Sequence, residues 1–163
     1  MREDRESNEV FLEVPCDTYY LASIRTLVRT VARKAGFKEE VAGQIQMAVD
    51  EVCAAAAFEQ KRTGSDLGEV EEERVLSVSL CADARKLRAT ITEHGVAGPL
   101  AMSLYDLPDP GSQGGAGGGV TGMGYVVVTS YMDEVEFNET DEGCQVHLVR
   151  YLRHPSARLR RRD

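Results

Sequence analysis

Tryptophan is absent, and the 163 residues hold only six tyrosines and four phenylalanines. The core must therefore be built from Val, Leu, Ala and Met. Histidine is scarce as well. His94, His147 and His154 stand far apart, without the spacing of a metal site or of a Ser-His-Asp hydrolase. The four cysteines, Cys16, Cys53, Cys81 and Cys144, have no paired spacing, which argues against a zinc cluster and against a disulfide framework. They read as free thiols in a reducing cytosol. No apolar run is long enough to span a bilayer, and the charged opening "MREDRESNEV" lacks the pattern of a signal peptide. These features point to a cytoplasmic chain with no membrane partner. A P-loop is excluded too, since GxxxxGK[ST] does not occur.

The charge present is mostly negative. The formal net charge is −8, and the tail from Arg153 to Asp163 carries five arginines against one acid, +4, which leaves −12 on the rest. An acidic body repels nucleic acid, so a general nucleic-acid-binding domain is not expected. The organisation read from the sequence is a disordered segment at 1–8, one domain at 9–152 and a basic tail at 153–163.

Within the domain, "EVFLEVPC" reads as a strand ended by Pro15. "DTYYLASIRTLVRTVARKAG" reads as a helix, with Asp17 or Thr18 at its cap, Gly36 at its end and Leu21, Ile24, Val28 and Val31 on one face. A second helix follows in "KEEVAGQIQMAVDEVCAAAAFEQKR". Glu39 and Glu40 suit its N-terminal end, and Val41, Ile45, Ala48, Val52 and Ala55 form a stripe. After the acidic loop "TGSDLGEVEEE", the segments "RVLSVSLCA" and "KLRATITEHG" alternate apolar and polar residues, as a half-buried antiparallel hairpin turned at "DARK" does. A long glycine-rich stretch follows, with eight glycines between Gly111 and Gly124. "YVVVTSYM" is strand by propensity alone. "DEVEFNE" and "CQVHLVRYL" read as strands joined at Asp141-Glu142-Gly143. This order predicts an α+β two-layer sandwich, a mixed and mainly antiparallel sheet with helices on one face.

Acid on a long helix, hairpin ending in acid and glycine, and glycine-rich segment leading into G-x-G recur in this order in one family. The strongest local match is "GMGYVVVTSYMDEVEF", and "LASIRTLVRTVARKAGFKEEVAGQIQMAVDEV" is similar to paired N-terminal helices. On these segments, and over about residues 9–152, the chain resembles the anti-sigma-factor serine kinases of the GHKL superfamily, the histidine-kinase-like ATPases with the Bergerat fold. The resemblance implies a helix from about Gly124 to Met132, against the strand propensity. It implies ATP or ADP with magnesium as cofactor. Glu51 matches the catalytic Glu that polarises the attacking hydroxyl. Ala55 stands where an Asn holds magnesium, and a methyl group cannot ligate a hard cation. Glu93-His94-Gly95-Val96-Ala97 stands where the family has D-x-G-x-G. Glu93 keeps the adenine-binding carboxylate but moves it about 1.5 Å outward. Gly95 is unchanged, and Ala97 adds a methyl where a glycine lets the backbone pass. Gly122 and Gly124 retain the third box.

The resemblance further implies a bacterial partner-switching regulator. Such a protein binds a sigma factor, a small antagonist (anti-anti-sigma) protein or both, and forms a homodimer. With the nucleotide boxes altered, the reading is an anti-sigma-factor-like regulator with a degenerate ATP site. Two alternatives stand beside it. One is an active ATP-dependent serine kinase. The other is a scaffold that works through protein contacts and binds no nucleotide.

Overall fold

The central strand of the sheet carries much of the core. The computed structural model describes residues 8–64, 74–94, 121–141 and 143–153. The elements in chain order are β1 (Asn8–Pro15), a 3-10 turn (Thr18–Tyr20), α1 (Leu21–Lys34), α2 (Glu39–Gly64), β2 (Val75–Ala82), β3 (Lys86–His94), α3 (Thr121–Tyr131), β4 (Glu134–Thr140) and β5 (Gly143–Tyr151). The five strands form one sheet in the order β1-β2-β3-β5-β4, and all four pairings are antiparallel.

Register explains which face is covered. Side chains alternate along a strand, so one aligned row repeats on one face across all neighbours. Leu12, Val78, Ile91, Val146 and Phe137 are successive partners across the sheet, as are Val10, Leu80, Ala89, Leu148 and Val135. The residues of these rows on β2, β3 and β5 are fully buried, and those on the edge strands are partly buried against them. The helices supply the other half of the core with Ile24, Val28, Ile45, Val49 and Val52. The opposite face is polar. Its row from Glu13 through Ser77, Thr92 and Gln145 to Asn138 holds no apolar residue. The result is the expected two-layer α+β arrangement.

Local chemistry places the helices. The Asp17 carboxylate accepts a hydrogen bond from the Tyr19 amide at 2.9 Å and starts the turn into α1. Leu21, Ile24 and Val28 are buried as expected. Ala32 replaces Val31 as the next buried residue, and Val31 is only partly covered. Gly36, at φ +104°, ends the helix in a left-handed conformation. Glu39 at the start of α2 holds Arg29 and Arg33 of α1, and Asp50 holds Arg25 at 3.0 Å. The alanine run divides along the helix. Ala56 and Ala57 are buried, whereas Ala54 and Ala55 are partly exposed.

Residues 125–131 are helical, so strand propensity loses here, as the family resemblance implied. Burial decides it: Val128 is in the core, and α3 packs against α2. The helix starts at Thr121, three residues earlier than expected. Arg150 closes its other end by donating to the Tyr131 carbonyl at 2.7 Å. Asp133 then accepts from the Tyr151 amide at 2.8 Å and pairs with Arg153, which ties the helix exit to β5. At the N-terminus, β1 begins at Asn8, inside the segment expected to be disordered; residues 1–7 lie outside the described residues.

Two glycines test this geometry in opposite directions. Gly143, at φ +141°, begins β5, and a Cβ there would lie 1.9 Å from the Glu93 carbonyl oxygen. Gly143→Ala should destabilise the protein by about 3 kcal/mol, from backbone strain plus overpacking. Gly43 is inside α2, and a Cβ there meets no atom within 4 Å. Gly43→Ala should stabilise by about 0.5–1 kcal/mol. Urea unfolding of the two variants measures both signs.

Candidate nucleotide site

Helix α2 presents two of the predicted site residues. Glu51 and Ala55 are four residues apart, so they share one face, and both are partly exposed. Their neighbour Asp50 is turned toward α1 and Arg25. The Arg25 Nε lies 3.0 Å from the buried Asp50 Oδ1, and the contact is an ion pair. Glu51 has no ion-pair or hydrogen-bond partner among the described residues. Its carboxyl is held above the usual carboxylate range, first by burial and then by the Asp50 charge beside it. Burial also raises Asp50, with Arg25 opposing.

The second expected acid lies elsewhere in the same layer. Glu93 is on the helix-covered face of β3, in register with Leu76 on one side and Cys144 on the other, and is 2% exposed. A buried charge needs a partner. Arg74, just before β2, supplies its guanidinium at 3.2 Å and is itself only 11% exposed. The Arg74 carbonyl accepts from the Cys16 amide at 2.9 Å, so the ends of β1 and β2 meet at this pair. The Cys16 thiol is pushed up to about 12, mainly by burial and further by the Glu93 charge, with Arg74 opposing. Burial likewise raises Cys53, with Asp50 adding to it. Both are inert thiols in this state.

Gly122 and Gly124 fall in the first turn of α3, and Gly124 is buried. Helix α3 packs on α2, and α2 also touches β3, so the elements carrying Glu51, Ala55, Glu93, Gly122 and Gly124 adjoin. Gly95, Ala97 and the glycine run from Gly111 to Gly119 lie outside the described residues.

Three features escaped the sequence reading. Arg74 is one; its position at the end of an acidic loop gave no signal. His94, read as standing apart from any Ser, is 2.8 Å from Ser77 through Nε2. Ser77 gives its one hydroxyl hydrogen to Glu13 at 3.2 Å, so His94 is the donor to Ser77. That direction is the reverse of nucleophile activation, and the acid touches Ser77 rather than the imidazole. The third is a groove of about 690 Å³ on α1, lined by Arg25, Arg29, Arg33, Lys34 and the two threonines between them. The spacing of four between its arginines was visible in "IRTLVRTVARK".

A family model for the histidine kinase-like ATPase domain matches residues 14–150. The chain belongs to that family, and the antiparallel sheet with helices packed on one face is its fold. No curated protein matches the chain. Among the described residues, no helix is long and apolar enough to cross a membrane. Members of this family take a magnesium nucleotide. At the positions the resemblance assigns, two of this chain's residues do not fit that group. Ala55 offers a methyl where a cation needs oxygen, and the Glu93 carboxylate is already engaged by Arg74.

The raised affinity of Glu51 for a proton has a consequence for stability. A carboxyl whose pKa is higher folded than unfolded makes the folded state bind more protons, so its charge disfavours folding at neutral pH. Glu51→Gln should therefore stabilise the protein at pH 7. The gain should fade as pH falls through the raised pKa and vanish below the ordinary value of 4.5. Melting temperatures of the two proteins across that range check the sign.

Proposed function

We propose that the protein is an anti-sigma-factor-like regulator of a bacterial partner-switching system. It binds a sigma factor, a small antagonist protein or both, acts in the cytoplasm as a homodimer, and has a degenerate, weak ATP site. The observation that carries the reading is the pairing of a histidine kinase-like ATPase domain with Ala55 on the Glu51 face of α2. Ala55 offers no oxygen to a cation, so the domain suits protein contacts better than turnover.

Mg-ATP tests the weak site. A ligand bound only by the folded state adds RT ln(1 + [L]/Kd), about 2.7 kcal/mol at a hundredfold excess over Kd. Millimolar Mg-ATP is expected to move the melting temperature little, with no dependence on magnesium. Ala55→Asn, Glu93→Asp and Ala97→Gly together restore the oxygen, the shorter acid and the backbone clearance. That variant should show a larger shift that requires magnesium. Tight magnesium-dependent binding by the natural chain counts against the reading. Calorimetry against a sigma factor and an antagonist protein tests the partner half, and Glu51→Ala should leave that affinity unchanged.

One observation favours a second reading, an ATP-dependent serine kinase. Glu51 is unpaired among the described residues and its proton affinity is raised, as suits a group that takes a proton from a serine hydroxyl. Phosphate transferred from ATP to a serine of the antagonist, and lost in Glu51→Gln, would establish it.

A further inference from the structure

We propose that the exposed face of α1 is the docking surface for an acidic, amphipathic helix of a partner protein. This rests on the reading that the chain acts through protein contacts, and it gives that contact a face and a chemistry. Two grooves meet there. One, of about 690 Å³, is the basic groove along α1. The other, of about 600 Å³, lies between α1 and the edge strand β1, with Leu12 and Leu27 among its walls. Ala22, Thr26 and Thr30 line both grooves. All three are exposed, so one low ridge separates an arginine row from an apolar strip.

Charge selects the sign of the occupant. Among the described residues, the cations Arg25, Arg29, Arg33 and Lys34 face two paired acids, Asp50 and Glu39, so the groove keeps a positive excess. The three arginine side chains remain 43%, 46% and 64% exposed. Each guanidinium has five N–H donors, and one ion pair does not exhaust it.

Spacing selects a helix. Arg25, Arg29 and Arg33 repeat every four residues and form a row about 12 Å long. Acids four apart on a partner helix make the matching row, and apolar side chains beside them fall over the Leu12 and Leu27 strip. A small free anion fits less well. Thr26 and Thr30 give their hydroxyl hydrogens to the Ala22 and Thr26 carbonyls at 3.0 and 2.8 Å, so the ridge adds no donor for a phosphate. A second copy of this face fits worse still, because a two-fold contact sets one arginine row against another.

The probe is a capped, fluorescein-labelled helical peptide with three glutamates four apart and leucines on the adjoining face. Anisotropy follows its titration with the full chain. The natural chain is expected to bind it with a Kd below about 1 mM, weakened at least about fivefold between about 0.05 and about 0.3 M salt. Replacing the glutamates by lysine, or the leucines by serine, should each lower the affinity at least about tenfold. Arg29→Gln with Arg33→Gln should do the same to the glutamate peptide, as should Thr26→Glu, which sets an acid on the ridge.

A second measurement needs no variant. In nitrogen–proton spectra of the natural chain, the Ala22, Thr26 and Thr30 amide signals should shift and saturate as the peptide is added. Absence of saturable binding, a shift map centred on another face, or a control peptide that binds equally well overturns the inference. So does tripolyphosphate that binds the same amides as tightly as the peptide, which makes the groove a small-anion site. Sedimentation covers the remaining occupant: a dimer that Thr26→Glu dissociates assigns the face to a second copy and also overturns it. The inference and the proposed function fail separately. A sigma factor or antagonist protein that binds a chain indifferent to the peptide leaves the function standing without this surface. Peptide binding by a chain that takes neither protein leaves the surface standing and removes those partners.

Discussion

The period of two along β3 governs much of this molecule. It is the middle strand of the sheet, and its alternate residues Leu87, Ala89 and Ile91 are buried to the last square ångström. Once that row faces the helices, the strands on either side fall into register with it, and the two long helices gain the surface they need. The same alternation carries Glu93 into the covered layer, where hydrophobic burial and the needs of a charge conflict. Arg74 answers that conflict with a guanidinium 3.2 Å from the Glu93 carboxylate. Core packing and the placement of this buried acid thus follow from one constraint.

The helix layer divides its acids between structure and chemistry. Asp50 and Glu39 hold the arginines of α1 and join the two helices. These contacts are partly exposed and contribute orientation more than stability. Glu51 has no such partner among the described residues, and burial disfavours its charge. The alanines after it have two roles in turn. Ala56 and Ala57 let α2 approach its neighbours closely, and Ala55 stands partly exposed on the Glu51 face with no donor atom. Helix α1 itself contains no acid, so a basic row lies on a protein of net charge −8. Charge of that sign on such a body favours encounter with acidic partners.

Much of the fold was legible because its signals are local. The β2–β3 hairpin shows in the alternation of "VLSVSL" and "LRATIT", and the structure closes it with the Asp83 carboxylate accepting from the Arg85 and Lys86 amides. Both long helices show in their apolar stripes. Residues 125–131 were misleading by propensity, because three consecutive valines favour a strand unless tertiary burial decides otherwise. Only the likeness of "GMGYVVVTSYMDEVEF" to a known segment indicated a helix. In the site, Glu51 and Ala55 were legible from a spacing of four on one helix. The pairing of Arg74 with Glu93, and of Ser77 with His94, was not. Each joins positions 17 or 19 residues apart through strand register, and neither partner is unusual where it stands in the sequence.

The central claim is that Glu93 and Arg74 are a strongly coupled, buried ion pair, and a double-mutant cycle tests it most directly. Unfolding free energies would be measured for the natural chain, Arg74→Met, Glu93→Gln and the combined variant. Breaking a buried pair on one side costs about 3–5 kcal/mol, while replacing both partners is close to neutral. The account predicts two costly single changes and a double variant that recovers most of the loss, a coupling of at least about 2 kcal/mol. Two single effects that simply add, with coupling near zero, would contradict it.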